Sequence, residues 1–380
     1  MAFLYELALL GSPSKKQIRE LEQFVSEAIQ PFGLQIGKEI GWAIYPEPFD
    51  PNQKRAAAAV FFGGKNAPVE HLDNLLSRSI PILPVISDIK KVNEEIPSVL
   101  QHLNCLDYGK DGAKKIASAL LGCAELLPRQ RRVFLSYRRD EACGAAVQLF
   151  DYLSSKCFDV FLDTHAIAPA EDFQTNLWHR LCDSDVLLML DTPTYFSSRW
   201  TSAEFGRALA KGISVLSVQW PNFTPSPRTA TVSRLVLADD EIDSGTGSLT
   251  NSAITRICSQ LETVRSQSLA VRNRNLVSNL RSSIELIGGS VTGVGLNKAV
   301  FVKLANGRDI VVYPTVGVPT STTLHDATKN APGQSVAVVY DHVGLHPSWQ
   351  EHLDWLGSHI KSARWVKANE AAWQFADWET

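Results

Sequence analysis

Short apolar runs rich in β-branched residues alternate with segments of helical period from the start of the chain to about residue 222. This alternation limits the possible folds most strongly, because parallel strands buried on both faces need a helical crossover between neighbours. It predicts an α/β protein. The expected elements of the N-terminal segment are strands 4–10, 58–62 and 80–86 and helices 15–29, 69–77 and 112–126.

A central segment repeats the pattern after a polar basic stretch at residues 128–132, which we interpret as a domain boundary. Its expected elements are strands 133–137, 160–163, 186–190 and 213–218 and helices 144–153, 173–181 and 201–211. The stretch RSIPILPV at 78–85 parallels KGISVLSV at 211–218. We hypothesise that the N-terminal segment is a diverged copy of the central one, although any two doubly wound sheets share this alternation.

Residues 223–249 are rich in Pro, Thr, Ser, Asp and Gly and have no period, which predicts a loop or linker. Thr250 is expected to cap an amphipathic helix that packs back on the central segment. A C-terminal segment then has an expected helix at 275–287, strands near 299–304, 310–313 and 336–340, and a helix near 349–360. For a chain of 380 residues, we predict three domains: 1–127, 131–267 and 268–380.

Composition argues against several classes of partner and compartment. Lys plus Arg number 37 against 40 Asp plus Glu, and no basic cluster is long enough to follow a phosphate backbone, which argues against nucleic acid as a partner. No apolar run reaches the roughly 18 residues of a membrane span. The chain start lacks the basic region of a secretion signal, and the six cysteines form no C-x-x-C pair. We therefore expect a cytoplasmic protein with reduced thiols.

Four stretches of the central segment carry a family signal. They are VFLSYRRDE at 133–141, FDVFLDT at 158–164, SDVLLMLDTP at 184–193 and SRWTSAEFGRALAKG at 198–212. In this order and spacing they resemble the TIR domain family, the Toll/interleukin-1 receptor fold, and in particular its NAD-cleaving prokaryotic branch. The resemblance implies a central flavodoxin-like parallel sheet, which an N-terminal TIR-like α/β domain and a C-terminal α/β domain flank.

Glu204 has two interpretations from the residues alone. Thr201 as N-cap and Glu204 at the third helical position fit a capping box. If the helix begins at Ser198 instead, Trp200 and Glu204 stack one turn apart on the same face. The resemblance implies that Glu204 is the catalytic residue and that Trp200 lines the substrate pocket. A carboxylate suits this chemistry, because cleavage of the nicotinamide–ribose bond passes through an oxocarbenium-like sugar.

The pair Arg138 and Arg139 follows the first central strand, at the carboxyl edge where doubly wound folds bind ligands. The resemblance implies that both lie beside the phosphates or ribose of NAD. The alternative is a solvated pair of charges next to Asp140 and Glu141.

The resemblance also implies that Asp163, which ends the second central strand, and Phe173, which begins the next helix, take part in substrate binding. Between them, residues 164–172 match the BB loop of the family, which moves on assembly and helps to complete the pocket of a neighbouring TIR domain. Ala170 stands in this loop where the family often has Gly, so the conformation of the loop is open, since Gly tolerates positive φ better than Ala.

The resemblance as a whole implies a TIR-domain NAD+ hydrolase that releases nicotinamide and ADP-ribose or a cyclic ADP-ribose. It also implies self-association through TIR domains and the role of an assembly-activated effector in prokaryotic antiviral defence. NAD is then the substrate, and no further cofactor is expected. The alternative is a non-catalytic TIR scaffold that only binds other TIR domains.

Two sequence motifs of the C-terminal segment partly match the patterns of known ligand sites. His342 and His346 are four residues apart, but no Cys or paired carboxylate completes a ligand set, so we expect no metal. The glycine-rich stretch 288–295 lacks the spacing of a dinucleotide loop, and we interpret it as a turn between a helix and a strand. The N-terminal segment shows no counterpart of Trp200 and Glu204, which favours a sensing or assembly role for it.

Overall fold

The computed structural model describes residues 3–127, 130–162, 173–243 and 245–378, without the side chains of Ile89 and residues 173–176. The chain divides into two compact units. Unit 1 comprises Met1–Leu127, Ala270–His342 and Glu351–Thr380, and unit 2 comprises Pro128–Leu269 and Val343–Gln350. Each unit is described by itself, and the three-domain division stays a prediction.

The N-terminal segment of unit 1 forms a five-stranded sheet in the order β2-β1-β3-β4-β5, with every pair parallel. Its elements are β1 (Tyr5–Gly11), α1 (Lys15–Ile29), β2 (Ile40–Ile44), β3 (Ala56–Phe62), α2 (Leu72–Ser77), β4 (Ile82–Ile86), α3 (Val92–Glu95), β5 (Leu106–Asp107) and α4 (Tyr108–Cys123). β2 and β5 were not among the predicted strands. Both lie at sheet edges, and β5 has only two residues.

Unit 2 contains a second five-stranded parallel sheet, in the order β10-β9-β8-β6-β7. Its elements are β6 (Arg132–Ser136), α5 (Arg139–Ser155), β7 (Asp159–Leu162), α6 (Phe173–Cys182), β8 (Val186–Asp191), α7 (Arg199–Ala210), β9 (Ser214–Gln219), β10 (Ser233–Val236) and α8 (Asn251–Leu286). Numbered within each sheet, both orders are 2-1-3-4-5, which is the flavodoxin-like arrangement. This confirms the predicted α/β class and central parallel sheet.

The two stretches that the sequence analysis paired, 78–85 and 211–218, each contain the fourth strand of their sheet, β4 and β9. The prediction that 223–249 is only loop or linker is wrong, because β10 pairs with β9 from Ser233 to Val236. β10 is short and only one of its four residues is buried, so it lacks the apolar run of a central strand.

Helix α8 replaces the two helices that the sequence predicts. Thr250 caps it, since its Oγ1 accepts a hydrogen bond from the Ala253 backbone N–H at 3.3 Å. No Gly or Pro interrupts residues 251–286, so nothing local ends the helix between the two predicted pieces. Its residues up to Leu269 belong to unit 2 and those from Ala270 to unit 1.

The C-terminal segment of unit 1 forms a mixed sheet in the order β11-β12-β13-β14-β15. The first two pairings are antiparallel and the last two parallel. Its elements are β11 (Ser290–Val294), β12 (Val300–Lys303), β13 (Asp309–Thr315), α9 (Ser321–Asn330), β14 (Ser335–Tyr340), α10 (Pro347–His359), β15 (Ala363–Lys367) and α11 (Ala371–Ala376). The predicted turn between a helix and a strand lies at residues 287–289, but most of the glycine-rich stretch 288–295 forms β11.

The sheet of unit 2 buries both faces, which places helix α7 over one of them. Along β6, Val133 and Leu135 pack into a core with α5 and the first half of α8, whereas Phe134 packs into the opposite core. That second core contains Leu177 of α6 and Phe205 of α7. Successive side chains of a strand point to opposite faces of the sheet, so Phe134 faces the side that α7 covers. The apolar contacts on that side hold α7 against the sheet.

A buried ion network connects α8 to the amino ends of the strands in unit 2. Arg265 pairs with Asp185 at 2.9 Å and with Glu262 at 3.4 Å, and Glu262 also pairs with Arg131 at 2.7 Å. The side chains of Arg265 and Arg131 are 0% and 1% exposed. This network lies at the edge opposite to the carboxyl ends of the strands.

In the part of the chain that the structure describes, no helix is both long and apolar enough to cross a membrane. All six cysteines are free thiols. Cys123 and Cys182 are buried, whereas Cys143 is exposed.

Candidate functional site

The carboxyl ends of β6 and β8 define the candidate site in unit 2. Within unit 2, β6 is the first strand along the chain and β8 the third, and they lie side by side at the point where the strand order reverses. Connections leave these two strands toward opposite faces, so a crevice opens between them, and doubly wound folds bind ligands there. β6 ends at Ser136 and β8 at Asp191.

A chain of buried hydroxyl groups ends on Glu204 in this region. The Ser136 Oγ donates a hydrogen bond to the Glu204 Oε2. The Tyr195 Oη lies 2.6 Å from the same Oγ. Because the single Ser136 proton points to the carboxylate, the Tyr195 hydroxyl is the donor to Ser136. The three side chains are therefore linked in the order Tyr195, Ser136, Glu204.

Burial of this chain is nearly complete. Ser136 is 1% exposed, Tyr195 0% and Glu204 5%. Burial, together with the nearby Glu204 charge, raises the pKa of Tyr195 well above its ordinary value of 10. The Tyr195 hydroxyl is therefore a proton donor throughout the physiological pH range.

Helix α7 begins at Arg199, whereas a capping box would require Thr201 to lie directly before the helix. Glu204 therefore lies inside the helix, where its side chain contacts Ser136. Ser198 is the N-cap, and its Oγ accepts hydrogen bonds from the backbone N–H groups of Trp200 at 3.2 Å and Thr201 at 3.5 Å. The capping-box interpretation of Thr201 and Glu204 is therefore wrong. The Thr201 hydroxyl instead donates to the Tyr195 carbonyl, which holds the start of the helix on the preceding turn.

Trp200 lies one turn before Glu204 but in a different environment. Its side chain is 36% exposed, and the Arg199 guanidinium lies 4.4 Å from its ring centre. Glu204, by contrast, is buried, with 5% of its surface exposed.

Arg138 lies at the crevice, between the end of β6 and α5. It is the N-cap residue of α5, and its Nη1 donates to the Thr194 carbonyl at 3.2 Å. Its Nη2 lies 3.6 Å from Asp140, which is 82% exposed. Arg138 therefore connects the end of β6 to the loop after β8. Arg139 begins α5 and is exposed.

Glu141 adds a second carboxylate to this edge. Its Oε2 accepts a hydrogen bond from the Thr194 backbone N–H at 3.3 Å. Partial burial alone raises the pKa of Glu141, but contacts with Thr192 and Thr194 and the charge of Arg138 together hold it below its ordinary value. Glu141 thus helps to fix the loop that carries Tyr195.

Asp191, at the end of β8, completes the polar edge of the strands. It is 1% exposed, and the Ser217 hydroxyl donates to its Oδ2 at 3.1 Å. Burial raises the pKa of Asp191, and the Ser217 bond and the charge of Arg234 only partly oppose that rise. Asp191 is therefore more easily protonated than an exposed aspartate.

A comparison with models of protein families identifies the domain that contains this site. The family model described as "TIR domain" matches residues 133–244. These residues form a TIR domain. The predicted family and the central position of its domain in the chain are confirmed.

Comparison with solved structures gives a match to the TIR domains of the activated Roq1 resistosome directly recognizing the pathogen effector XopQ. The identity is 19%, the match covers 36% of this chain and 83% of that chain, and the TM-score is 0.23. No curated protein matches the sequence.

Two of the predicted site residues lie outside the description. Asp163 belongs to residues 163–172, which the structure does not describe, and this range also contains the predicted BB loop with Ala170. Phe173 begins α6, but its side chain is not described. Of the other predicted site residues, Arg138 and Glu204 contact the carboxyl edge of the strands, whereas the described contacts of Trp200 are with Ser198 and Arg199.

The sequence analysis missed Ser136 and Tyr195 as partners of Glu204. Ser136 stands at the carboxyl end of a buried strand, where a polar residue is a recognisable signal. Tyr195 lies in a short 3-10 turn, Tyr195–Ser197, and its full burial could not be predicted locally. Among the described residues, no group of three or more His, Cys, Asp or Glu side chains could hold a metal ion.

Proposed function

We propose that the TIR domain is an NAD+ hydrolase that acts on the N-glycosyl bond between nicotinamide and ribose. The observation that carries this proposal is the position of Glu204. It lies on the helix that follows β8 and is hydrogen-bonded to the last residue of β6, at the crevice where this fold binds ligands.

The reaction needs little more than a carboxylate and a water molecule. The bond between the ribose C1′ and the nicotinamide nitrogen breaks, and both electrons leave with neutral nicotinamide. Glu204 holds the ribose and stabilises the positive charge that develops on the sugar. Water then adds to C1′ and loses a proton, which gives ADP-ribose. If a nitrogen of the adenine attacks C1′ in place of water, the product is a cyclic ADP-ribose.

The remaining predicted residues take supporting roles in this proposal. Arg138 and Arg139 bind the phosphates or ribose, as guanidinium groups pair well with phosphate oxygens. The exposed ring of Trp200 provides a flat wall of the pocket. Asp163 and Phe173 take part in substrate binding, as the family resemblance implies. NAD is the substrate, so no separate cofactor takes part.

The burial of Glu204 supports the proposal that this arrangement is a resting state. Its carboxylate accepts the Ser136 hydroxyl, and a ribose hydroxyl must replace or join that donor before cleavage. We propose that self-association of TIR domains drives this change. The activity then suits an assembly-activated cytoplasmic effector of prokaryotic antiviral defence that depletes NAD.

A second candidate function is a non-catalytic TIR scaffold that binds other TIR domains. The observation that favours it is again the burial of Glu204, which is 5% exposed and serves as a structural acceptor in the described arrangement. The two functions differ in whether the wild-type protein releases nicotinamide.

The deciding experiment incubates concentrated protein with NAD+ and follows nicotinamide by chromatography. We expect Glu204→Gln to lower the rate by at least about 10²-fold, because the amide keeps the shape but loses the charge that stabilises the sugar cation. The same chromatogram separates linear from cyclic ADP-ribose.

Asp240→Asn is the matched control, because it removes one negative charge from an exposed position of the same domain. It should retain the wild-type rate. Circular dichroism of both variants shows whether each is folded. A wild-type protein that releases no nicotinamide at any concentration would leave only the scaffold function.

A further inference from the structure

A cavity in unit 1 has a strongly basic lining. Its volume is about 360 Å³, within the general range of small-molecule sites. Five basic side chains line it, and no Asp or Glu is among the described lining residues. The basic residues are Arg55, Arg78, Arg274, Arg281 and Lys298.

One face of α8 supplies much of this lining. Arg274, Val277, Ser278 and Arg281 recur with helical spacing and point to the cavity. A different face of the same helix carries Leu276, Leu280 and Ile284 into the C-terminal core of unit 1. The apolar face therefore holds the basic face in place, so that the cavity lining is attached to a packed element.

The two arginines of α8 are held in position by neutral partners. The Arg274 Nη1 donates to the Gln53 carbonyl at 2.6 Å, and the Arg281 Nη2 donates to the Ser79 hydroxyl at 3.0 Å. Each guanidinium has five N–H donors, so these bonds use only a fraction of its capacity. They orient the groups without neutralising their charge.

Charge compensation around the cavity is incomplete. Arg78 pairs with Asp50, and Lys298 pairs with Glu125. Among the described residues, Arg55, Arg274 and Arg281 form no ion pair, and the buried Arg55 Nη1 has no hydrogen-bond partner. Gathering three such cations around one cavity costs free energy unless an anion joins them.

The side chains that line the cavity indicate which class of anion it binds. Guanidinium groups bind phosphate oxygens through paired hydrogen bonds. Ile80, Pro81, Val277 and Val294 add apolar surface next to these donors. We propose that this cavity binds a phosphorylated small molecule, in which the phosphates contact the arginines and an apolar part packs on the aliphatic side chains. This site is separate from the TIR crevice in unit 2.

The test is isothermal titration calorimetry on the full chain with inorganic pyrophosphate, ADP and adenosine as probes. We expect pyrophosphate and ADP to bind and neutral adenosine to bind at least tenfold more weakly than ADP. Tighter binding of ADP than of pyrophosphate would show that the apolar wall contributes. Equal binding of the two would contradict the proposed contact between an apolar part of the ligand and the aliphatic side chains.

Arg55→Gln and Arg281→Gln are the two diagnostic variants. Each should weaken ADP binding by roughly tenfold or more, because a charge-assisted hydrogen bond is lost. Arg19→Gln removes the same charge from the exposed surface of α1, which does not line the cavity, and should bind like wild type. The thermal unfolding midpoint of each variant without ligand checks its fold.

Three other results would overturn the proposal. One is binding of neither pyrophosphate nor ADP with a Kd below about 1 mM, the weak limit for a specific small-molecule site. Another is binding of adenosine as tightly as ADP. The third is an equal loss of affinity in Arg19→Gln and in the two cavity variants.

Discussion

At the scale of single residues, the TIR site is a chain of hydroxyl groups that ends on a carboxylate. Tyr195 and Ser136 are buried; the Ser136 hydroxyl donates to Glu204, and the Tyr195 hydroxyl lies 2.6 Å from the Ser136 Oγ and 3.3 Å from the Thr201 carbonyl. Such a chain orients Glu204 more firmly than either hydroxyl could alone, because buried hydrogen bonds polarise one another. Because burial also raises the pKa of Tyr195, the stability of the folded protein depends on pH in the alkaline range.

We predict that Tyr195 contributes to the loss of stability at high pH. Its pKa is raised in the folded protein, so only the unfolded chain loses this proton as the pH passes about 10, and the free energy of unfolding falls above that pH. Tyr195→Phe should make the fall less steep and cost about 1 kcal/mol at neutral pH through the lost hydrogen bond. Urea unfolding of both proteins at pH 7 to 11 measures this.

Tyr45→Phe is the control for this prediction, since Tyr45 is 38% exposed. It should leave both the stability at neutral pH and the alkaline slope close to wild type. Equal slopes in wild type and Tyr195→Phe would contradict the role that we assign to the buried phenol.

At the scale of elements, α8 is held to the amino ends of the TIR strands by charge. Arg265 reaches Asp185, directly before β8, while its neighbour Glu262 binds Arg131, directly before β6. The carboxyl ends of the same strands carry the crevice. One edge of the sheet is therefore used for anchoring a helix and the other for the candidate site.

Two arginines of α8 allow a matched test of this anchoring. Arg265 is 0% exposed, whereas the side chain of Arg256 is 46% exposed and pairs with Glu241. Arg265→Gln should lower the free energy of unfolding by about 3 kcal/mol, because two buried carboxylates, Asp185 and Glu262, each lose one cationic partner. Arg256→Gln should cost less than about 1 kcal/mol. Urea unfolding curves of the two variants decide this, and equal costs would disprove a buried anchor.

At the scale of the whole molecule, we predict that activity depends on assembly. In the proposed resting state Glu204 is buried, so isolated chains should turn over slowly. Nicotinamide release per protomer should rise as the protein concentration increases, in parallel with larger species in analytical ultracentrifugation. A rate per protomer that stays constant while larger species are absent would count against assembly control.

Glu204→Gln provides the control for that experiment. If the carboxylate acts in chemistry and not in association, the variant should form the same larger species as wild type and release little nicotinamide. Failure of the variant to assemble would show that Glu204 has a structural role at the contact between chains.

The sequence by itself determined the α/β class, the parallel sheet of the TIR domain and the position of Arg138 and Glu204 on it. These features follow from local periodicity and from the order of strands and helices, which a linear pattern carries. The four family motifs, between residues 133 and 212, all lie within residues 133–244, which the TIR family model matches. The first strand and the catalytic-helix candidate were located to within a few residues.

Only the tertiary structure decided which polar groups meet. β10 forms from a stretch without an apolar period because β9 offers it a free edge, and α7 starts at Arg199 because Ser198 caps it. Glu204 meets Ser136, and the arginines of α8 meet the N-terminal segment, across long separations in the chain. Such contacts depend on how distant elements pack, so no local pattern contains them.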